Sequence, residues 1–330
     1  VNNVCDFKYK KSELNMVACI NIFGNRRNVH EKSELGMDRG FVRLRTLFYL
    51  FYAVVLTAAL LYLRFPTEKV RAFCENKVES LLVDSDCNIE RLAYRPPFSV
   101  VFVNLQIVRE IDGKRSAFRV DRLALSPNIS NLFRTFQISG ELYKGNFSMQ
   151  LAVDTSEKSF ALSEVSIAGM NIDEWASDFN LLDRKISGKA NVSGDYRATF
   201  AAPLAGAGKG ELSATDGSIE LLQPILSLKS LSFDRITIDM TQEKEMLKFV
   251  KGEMTGKEIG AEFTGEMRLA SPLPNSIVIL GGHLTPKENF LATHPGEKRL
   301  VEQLLRRYKT PALPFKVGGT VRSPTFRFSL

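Results

Sequence analysis

Histidine is nearly absent from this chain: His30, His283 and His294 are the only three in 330 residues. None stands in an HExxH or other metal-ligand spacing, so a zinc hydrolase has no residues to build on. No GxSxG surrounds any serine, which excludes a nucleophile elbow. Cysteine is scarce too, with Cys5, Cys19, Cys74 and Cys87. None forms a CxxC pair, and a zinc or thioredoxin-type site is excluded with it. The run Gly206-Ala207-Gly208-Lys209-Gly210 looks superficially like a phosphate loop. Pro203 and Gly210 occupy the places where that loop needs Gly and Ser/Thr. These glycines are read instead as turns and strand bends. The many carboxylates show no spacing that singles out a catalytic pair. The expectation is a protein that is not an enzyme and needs no cofactor.

A concentrated charge of one sign is also missing. The net charge is +7, but residues 1–64 hold ten Lys/Arg against five Asp/Glu, and residues 65–330 hold 34 against 32. The bulk of the chain is nearly neutral with its signs interspersed. A nucleic-acid binder needs a basic face, so no nucleic-acid partner is expected. An apolar fraction of 44% and a charged fraction of 25% are those of a folded protein.

One long hydrophobic run is present. Thr46 to Leu63, TLFYLFYAVVLTAALLYL, is eighteen residues without a charge, Pro or Gly. As a helix it spans about 27 Å, close to the ~30 Å of a hydrocarbon core. Arg43 and Arg45 at one end can snorkel, and Tyr62 sits at the other boundary, where amphipathic rings are favoured. The run ends in Leu61-Tyr62-Leu63-Arg64-Phe65-Pro66 without a small-x-small cleavage site, so an uncleaved anchor is expected over residues 41–64. Lys and Arg are almost balanced across it. A short inside tail with the large domain outside is the simpler arrangement. Residues 1–40 are polar and patternless: a disordered tail, or a mis-assigned start with translation beginning at Met37.

Past the anchor, Pro66 opens a helix. Val70, Phe73, Cys74, Val78, Leu81 and Leu82 make one apolar stripe on it, and it is expected to cap the end of a sheet. Cys74 and Cys87 stand thirteen positions apart here. They are a possible disulfide if this side is oxidising, or two small half-buried side chains. The period then changes to two. Strand-like runs cover Val101–Ile107, Phe118–Val120, Phe136–Leu142, Phe147–Val153, Val165–Ile167, Ile236–Met240, Ile259–Leu269, Ile277–His283 and Phe315–Phe328. Turn signals stand at Asp112-Gly113, Lys144-Gly145-Asn146, Asp216-Gly217 and Lys251-Gly252. Short helices are expected at Asp173–Asp183, around the lone Trp175, and at Glu297–Lys309. Asn128, Asn146 and Asn191 match the glycosylation acceptor pattern, which matters only in a glycosylating host. The fold class is mainly β: an elongated, twisted antiparallel sheet over 65–330 with a few capping helices. One face is apolar, closed on itself or open as a groove. Candidate groove-lining residues are Val101, Val103, Leu105, Phe147, Met149, Leu151, Phe263 and Met267. Ordinary sheet core is the other reading of the same residues.

Three stretches carry a resemblance. Leu63-Arg64-Phe65-Pro66 opens a helix that leads into hairpins. Gly208-Lys209-Gly210-Glu211-Leu212 is followed by Thr215-Asp216-Gly217-Ser218-Ile219-Glu220-Leu221. The chain ends on Phe315-Lys316-Val317-Gly318-Gly319-Thr320-Val321 and Ser323-Pro324-Thr325-Phe326. Together these resemble the type II secretion system protein N (GspN) family over roughly residues 40–330. The ending is also similar to that of AsmA-like and TamB-like envelope proteins. The resemblance implies a single-pass protein of the inner membrane of a Gram-negative bacterium, with its β domain in the periplasm. It implies a non-enzymatic accessory role in type II secretion, with the other secretion proteins as partners. The AsmA-like relatives imply the alternative, a lipid-binding or lipid-transfer role with phospholipid acyl chains in an open apolar groove.

Overall fold

The structure, a computed structural model, describes residues 39–329 apart from 64, 83, 84, 97, 112, 113, 129, 130, 132, 133, 180–183, 227, 309 and 311. The tail expected over 1–40 therefore lies almost wholly outside the described residues. Cys5, Cys19, His30 and Met37 lie there too. Two compact units divide at Leu56/Thr57.

Helix α1 runs Arg39–Leu63. Its side chains are described over 45–60 and at 62 and 63. All of these are exposed, and the large apolar ones range from 44% at Leu56 to 76% at Leu63. Among the described residues no helix is long and apolar enough to cross a membrane.

The β-rich unit is one open antiparallel sheet of 14 strands, in spatial order β1 to β14 without a single crossover. Each strand pairs antiparallel with the next in the chain, as the short spacings require. The strands are β1 Ser85–Arg95, β2 Ser99–Ile111, β3 Lys114–Pro127, β4 Thr135–Leu142, β5 Gly145–Asp154, β6 Ser159–Asn171 and β7 Ile186–Thr199. They continue with β8 Ala202–Ile225, β9 Leu228–Lys244, β10 Met246–Thr255, β11 Ile259–Arg268, β12 Ile277–Pro286, β13 Leu313–Thr320 and β14 Pro324–Phe328. Helix α2 is Thr67–Leu81, α3 is Ile172–Phe179, α4 is Glu288–Thr293 and α5 is Pro295–Tyr308.

Residues directly opposite on neighbouring strands share a face, so the register sorts the sheet into rows. One row runs Met170, Ala190, Ala214, Ile236, Met254, Ala261, Leu284, Leu313 across β6 to β13. Another runs Gly194, Gly210, Met240, Phe249, Gly265, Leu280, Val317, Phe326 across β7 to β14. The alternate row Ser193, Glu211, Asp239, Lys251 is polar and lies on the opposite face. Glycine in the apolar rows lets adjacent backbones approach and bend. A Cβ on Gly265 (φ +156°) would stand 2.2 Å from the Ile279 carbonyl oxygen.

Two of the expected turns are not turns. Asp216-Gly217 lies inside the 24-residue β8, and Lys251-Gly252 lies inside β10. Both mark register shifts, where an extra residue bulges out of a continuing strand. Gly and Asp are as suited to a bulge as to a turn, and the pattern alone does not separate them. Lys144-Gly145 does sit at the β4–β5 turn.

Helix α2 covers the outer edge of β1 rather than an end of the sheet. Glu75 Oε1 accepts the Ile89 N–H at 2.9 Å and Glu79 Oε1 accepts the Cys87 N–H at 3.0 Å. Arg71 Nη1 donates to the Glu90 carbonyl at 3.3 Å. An edge strand left bare is a template for another chain, and these side chains occupy it. This use of Arg71 and Glu75 rotates the helix away from its expected stripe. Val70, Cys74 and Val78 turn partly inward, and Phe73 stands outside, 67% exposed.

Candidate functional site

The feature with functional shape is the apolar face of the sheet. Its core is one continuous cluster from Val120 on β3 to Phe315 on β13. The helices close it at one end of the strands, where β6 passes to β7 and β12 to β13. Phe290 of α4, Val301 of α5 and Leu313 at the start of β13 are exposed by 0%, 1% and 0%. Trp175, Leu291, Leu304 and Leu305 pack against the same cluster. Trp175 is a packing anchor, with its ring 5.7 Å from Phe179.

Burial then falls along the face. In the row of Ala190 and Leu284, six of the eight residues are buried. In the row of Met240 and Leu280, none is. The second row lies four residues further from the helical plug, toward the opposite strand ends. It presents Met240, Phe249, Leu280, Val317 and Phe326 half-buried.

Six of the eight candidate groove residues belong to this face. Phe147 is in its core, and Leu105, Met149 and Phe263 pack against that core. Leu151 stands opposite Phe136 and Leu162, and Met267 opposite Leu247 and Val278. Val101 and Val103 do not join them. Val103 pairs with Arg122, which continues to Glu141, and Val101 pairs with Ala124, which continues to Ser139. Those are rows of the other face. The cause is Asn104, whose φ of +52° interrupts the alternation between Val103 and Leu105. The missed residues are those of β7, β8 and β10, where glycines, Ala and polar residues dilute the period-two signal.

Helix α3 is fastened to β3 and the β4–β5 turn by polar contacts. Arg119 Nε donates to Asp178 at 2.6 Å, Lys144 pairs with Glu174 at 2.5 Å, and Ser116 Oγ donates to the Phe179 carbonyl at 3.1 Å. Asn171 Oδ1 accepts the Glu174 N–H at 3.2 Å, a side-chain cap. Arg119, Glu174 and Asp178 line an open cleft of about 960 Å³ with Asp121, Asp173, Arg184 and Glu220. The hydrogen bonds that Arg119 donates to Asp178 raise its guanidinium above the ordinary value, and burial pushes the Tyr143 hydroxyl up. Both shifts fix the groups in their ordinary neutral-pH states, which suits a structural joint. Among the described residues, no group of three or more His, Cys, Asp or Glu is placed to hold a metal.

Cys74 and Cys87 are free thiols on the facing elements α2 and β1. Burial, with Glu75, Glu79 and Cys74 adding to it, pushes the Cys87 thiol up to about 11. Burial and Glu75 also raise Cys74. As thiols rather than thiolates, both are slow nucleophiles at neutral pH. Asn191 is engaged on the polar face, accepting the Gly169 N–H at 2.8 Å and donating to Ser213 at 3.3 Å.

The chain matches no known family model, no curated protein and no solved structure.

Proposed function

We propose that this chain is a non-enzymatic accessory component of the type II protein secretion machinery. In this reading α1 anchors it in the inner membrane and the sheet stands in the periplasm. One observation carries the proposal: a 14-stranded meander with one polar and one apolar face follows in the chain, after α2, on an apolar helix. The described side chains of that helix are exposed all round, which suits lipid as the surrounding solvent. The eighteen-residue uncharged run and the resemblance to the secretion family support the same reading. The polar face and the long, ordered sheet provide a broad surface for other secretion proteins. Deleting the gene tests it: export of folded substrates falls while membrane lipid composition is unchanged. Normal export in the deletion strain refutes it.

A second reading has its own support. The half-buried row Met240, Phe249, Leu280, Val317, Phe326 is apolar surface that the described helices do not seal. That favours a lipid-binding sheet taking a phospholipid acyl chain along the apolar face. Native mass spectrometry of the detergent-solubilised chain checks it, through a co-purifying phospholipid mass. Protein free of lipid refutes it.

A further inference from the structure

Aromatic rings join the end of α1 to the first hairpin. The Phe65 ring stacks on Tyr94 with centroids 4.8 Å apart and planes at 16°. The Tyr62 ring lies 6.5 Å from the same Tyr94 at 51°. Tyr94 is the second-last residue of β1, and Arg95 and Phe98 flank the turn into β2. These contacts set the tip of the β1–β2 hairpin level with the last turn of the apolar helix, where Tyr62 and Leu63 are 55% and 76% exposed.

The tip is unusual in composition. Arg95 pairs with Ser99 and Tyr94 with Val100, and the Ser99 and Ser126 hydroxyls are 2.7 Å apart across to β3. Phe98 is 48% exposed, which is costly for a phenyl ring in water. Arg91 and Arg95 are exposed as well, and residues 91–99 contain no carboxylate. A phenyl ring beside arginine, level with the end of an apolar helix, has the chemistry of a bilayer interface. The ring enters the headgroup layer and the guanidinium meets lipid phosphate. Phe200, in the β7–β8 turn, is a useful contrast. It is 54% exposed but packs on Phe160 at 5.4 Å.

We propose that the tip of the β1–β2 hairpin, through Phe98 and Arg95, is a contact surface for an anionic phospholipid bilayer. It fixes how the first strand meets the membrane. The inference rests on the reading of α1 as an anchor, and it adds a second, separate point of attachment.

The test uses the full chain reconstituted in vesicles of phosphatidylethanolamine and phosphatidylglycerol, with and without bromine on the acyl chains. Phe98→Trp and, separately, Phe200→Trp are compared with the unsubstituted chain, whose single Trp175 supplies the reference emission. The expected result is blue-shifted, bromine-quenched emission from position 98, and emission from position 200 that bromine leaves unchanged. Replacing phosphatidylglycerol with phosphatidylcholine weakens the quenching at position 98, and Arg95→Gln does the same. A chain that floats with the vesicles while position 98 stays unquenched overturns the contact and leaves the anchor standing. Equal quenching at 98 and 200 also overturns it, because it shows general adsorption. A chain that does not float overturns the anchor and the contact together.

Discussion

Removing the carboxylate of Glu75 tests whether α2 is what closes the sheet's first edge. Its Oε1 accepts the Ile89 N–H at 2.9 Å, and Ile89 itself is 2% exposed. In Glu75→Ala that N–H loses its acceptor in a place water reaches poorly. Leaving a buried donor unsatisfied costs about 1–3 kcal/mol, so about 2 kcal/mol is expected. The better helix propensity of Ala returns only a few tenths of a kcal/mol. The Arg71–Glu75 pair, 3.9 Å apart on the helix, adds little either way. Glu75→Gln keeps an acceptor oxygen and loses only charge assistance, about 1 kcal/mol or less. Amide hydrogen exchange reads the difference at a single residue. At about 2 kcal/mol, Ile89 exchanges roughly thirtyfold faster in Glu75→Ala, with Glu75→Gln between it and the unsubstituted chain. Equal Ile89 protection in all three proteins refutes the edge-capping argument. So does a loss spread evenly over β1 to β3, which would indicate general unfolding. Glu75→Ala combined with Glu79→Ala also bares the Cys87 N–H. Concentration-dependent association through β1 is then expected by light scattering.

Three further outcomes follow from burial and backbone geometry. Leu313→Ala, at a residue 0% exposed beneath the helical plug, costs about 3–4 kcal/mol and lowers the urea midpoint accordingly. Gly265→Val forces a Cβ to within 2.2 Å of the Ile279 carbonyl oxygen and lowers the same midpoint by the equivalent of about 2 kcal/mol or more. For pH, the Cys87 thiol titrates near 11 in the folded chain against 9.0 ordinarily, so between those values the folded state holds more protons than the unfolded one. Stability contributed by the protonated thiol is complete below about pH 9 and is lost as pH climbs to about 11. Cys87→Ser flattens that part of the stability-against-pH curve, and alkylation of Cys87 at pH 8 is slower than that of a model thiol.

The sheet was legible wherever one face is apolar and the other charged. Strand β11 is the plainest example: Ile259, Ala261, Phe263, Gly265 and Met267 point one way, and Glu262, Thr264, Glu266 and Arg268 the other. Helices α3 and α5 were legible for a parallel reason, through apolar residues at helical spacing. Strand β8 was not, because Gly206, Gly208 and Gly210 supply no side chain to reveal the period. Their function is steric: a Cβ on Gly208 would stand 2.5 Å from the Asp195 carbonyl oxygen, so the strand passes close to β7 only without one. The placement of Val101 and Val103 was hidden by a single residue. Asn104 adopts φ +52°, and a one-residue change of alternation moves every earlier side chain in that strand to the other face. Local patterns report which residues alternate. They do not report where a bulge resets the count.

The fall in burial along the apolar face gives a way to separate scaffold from lipid carrier within one strand. Leu284 and Leu280 lie on the same face of β12. Leu284 pairs with Leu313 under the helices and is 3% exposed, whereas Leu280 pairs with Val317 and Gly265 and is half-buried. Asn at 284 buries an amide without partners and removes core volume, a loss of about 3–5 kcal/mol that unfolds or severely weakens the sheet under either reading. Asn at 280 places the same amide within reach of solvent and costs only about 1 kcal/mol, leaving the sheet intact. If the apolar face is merely core for a protein-binding scaffold, Leu280→Asn exports substrate normally and changes no bound mass. If an acyl chain occupies that row, the same variant keeps its fold by circular dichroism and loses the co-purifying lipid. A Leu280→Asn protein that is folded and carries its lipid at unchanged stoichiometry refutes the placement of the acyl chain along the row of Met240, Phe249, Leu280, Val317 and Phe326.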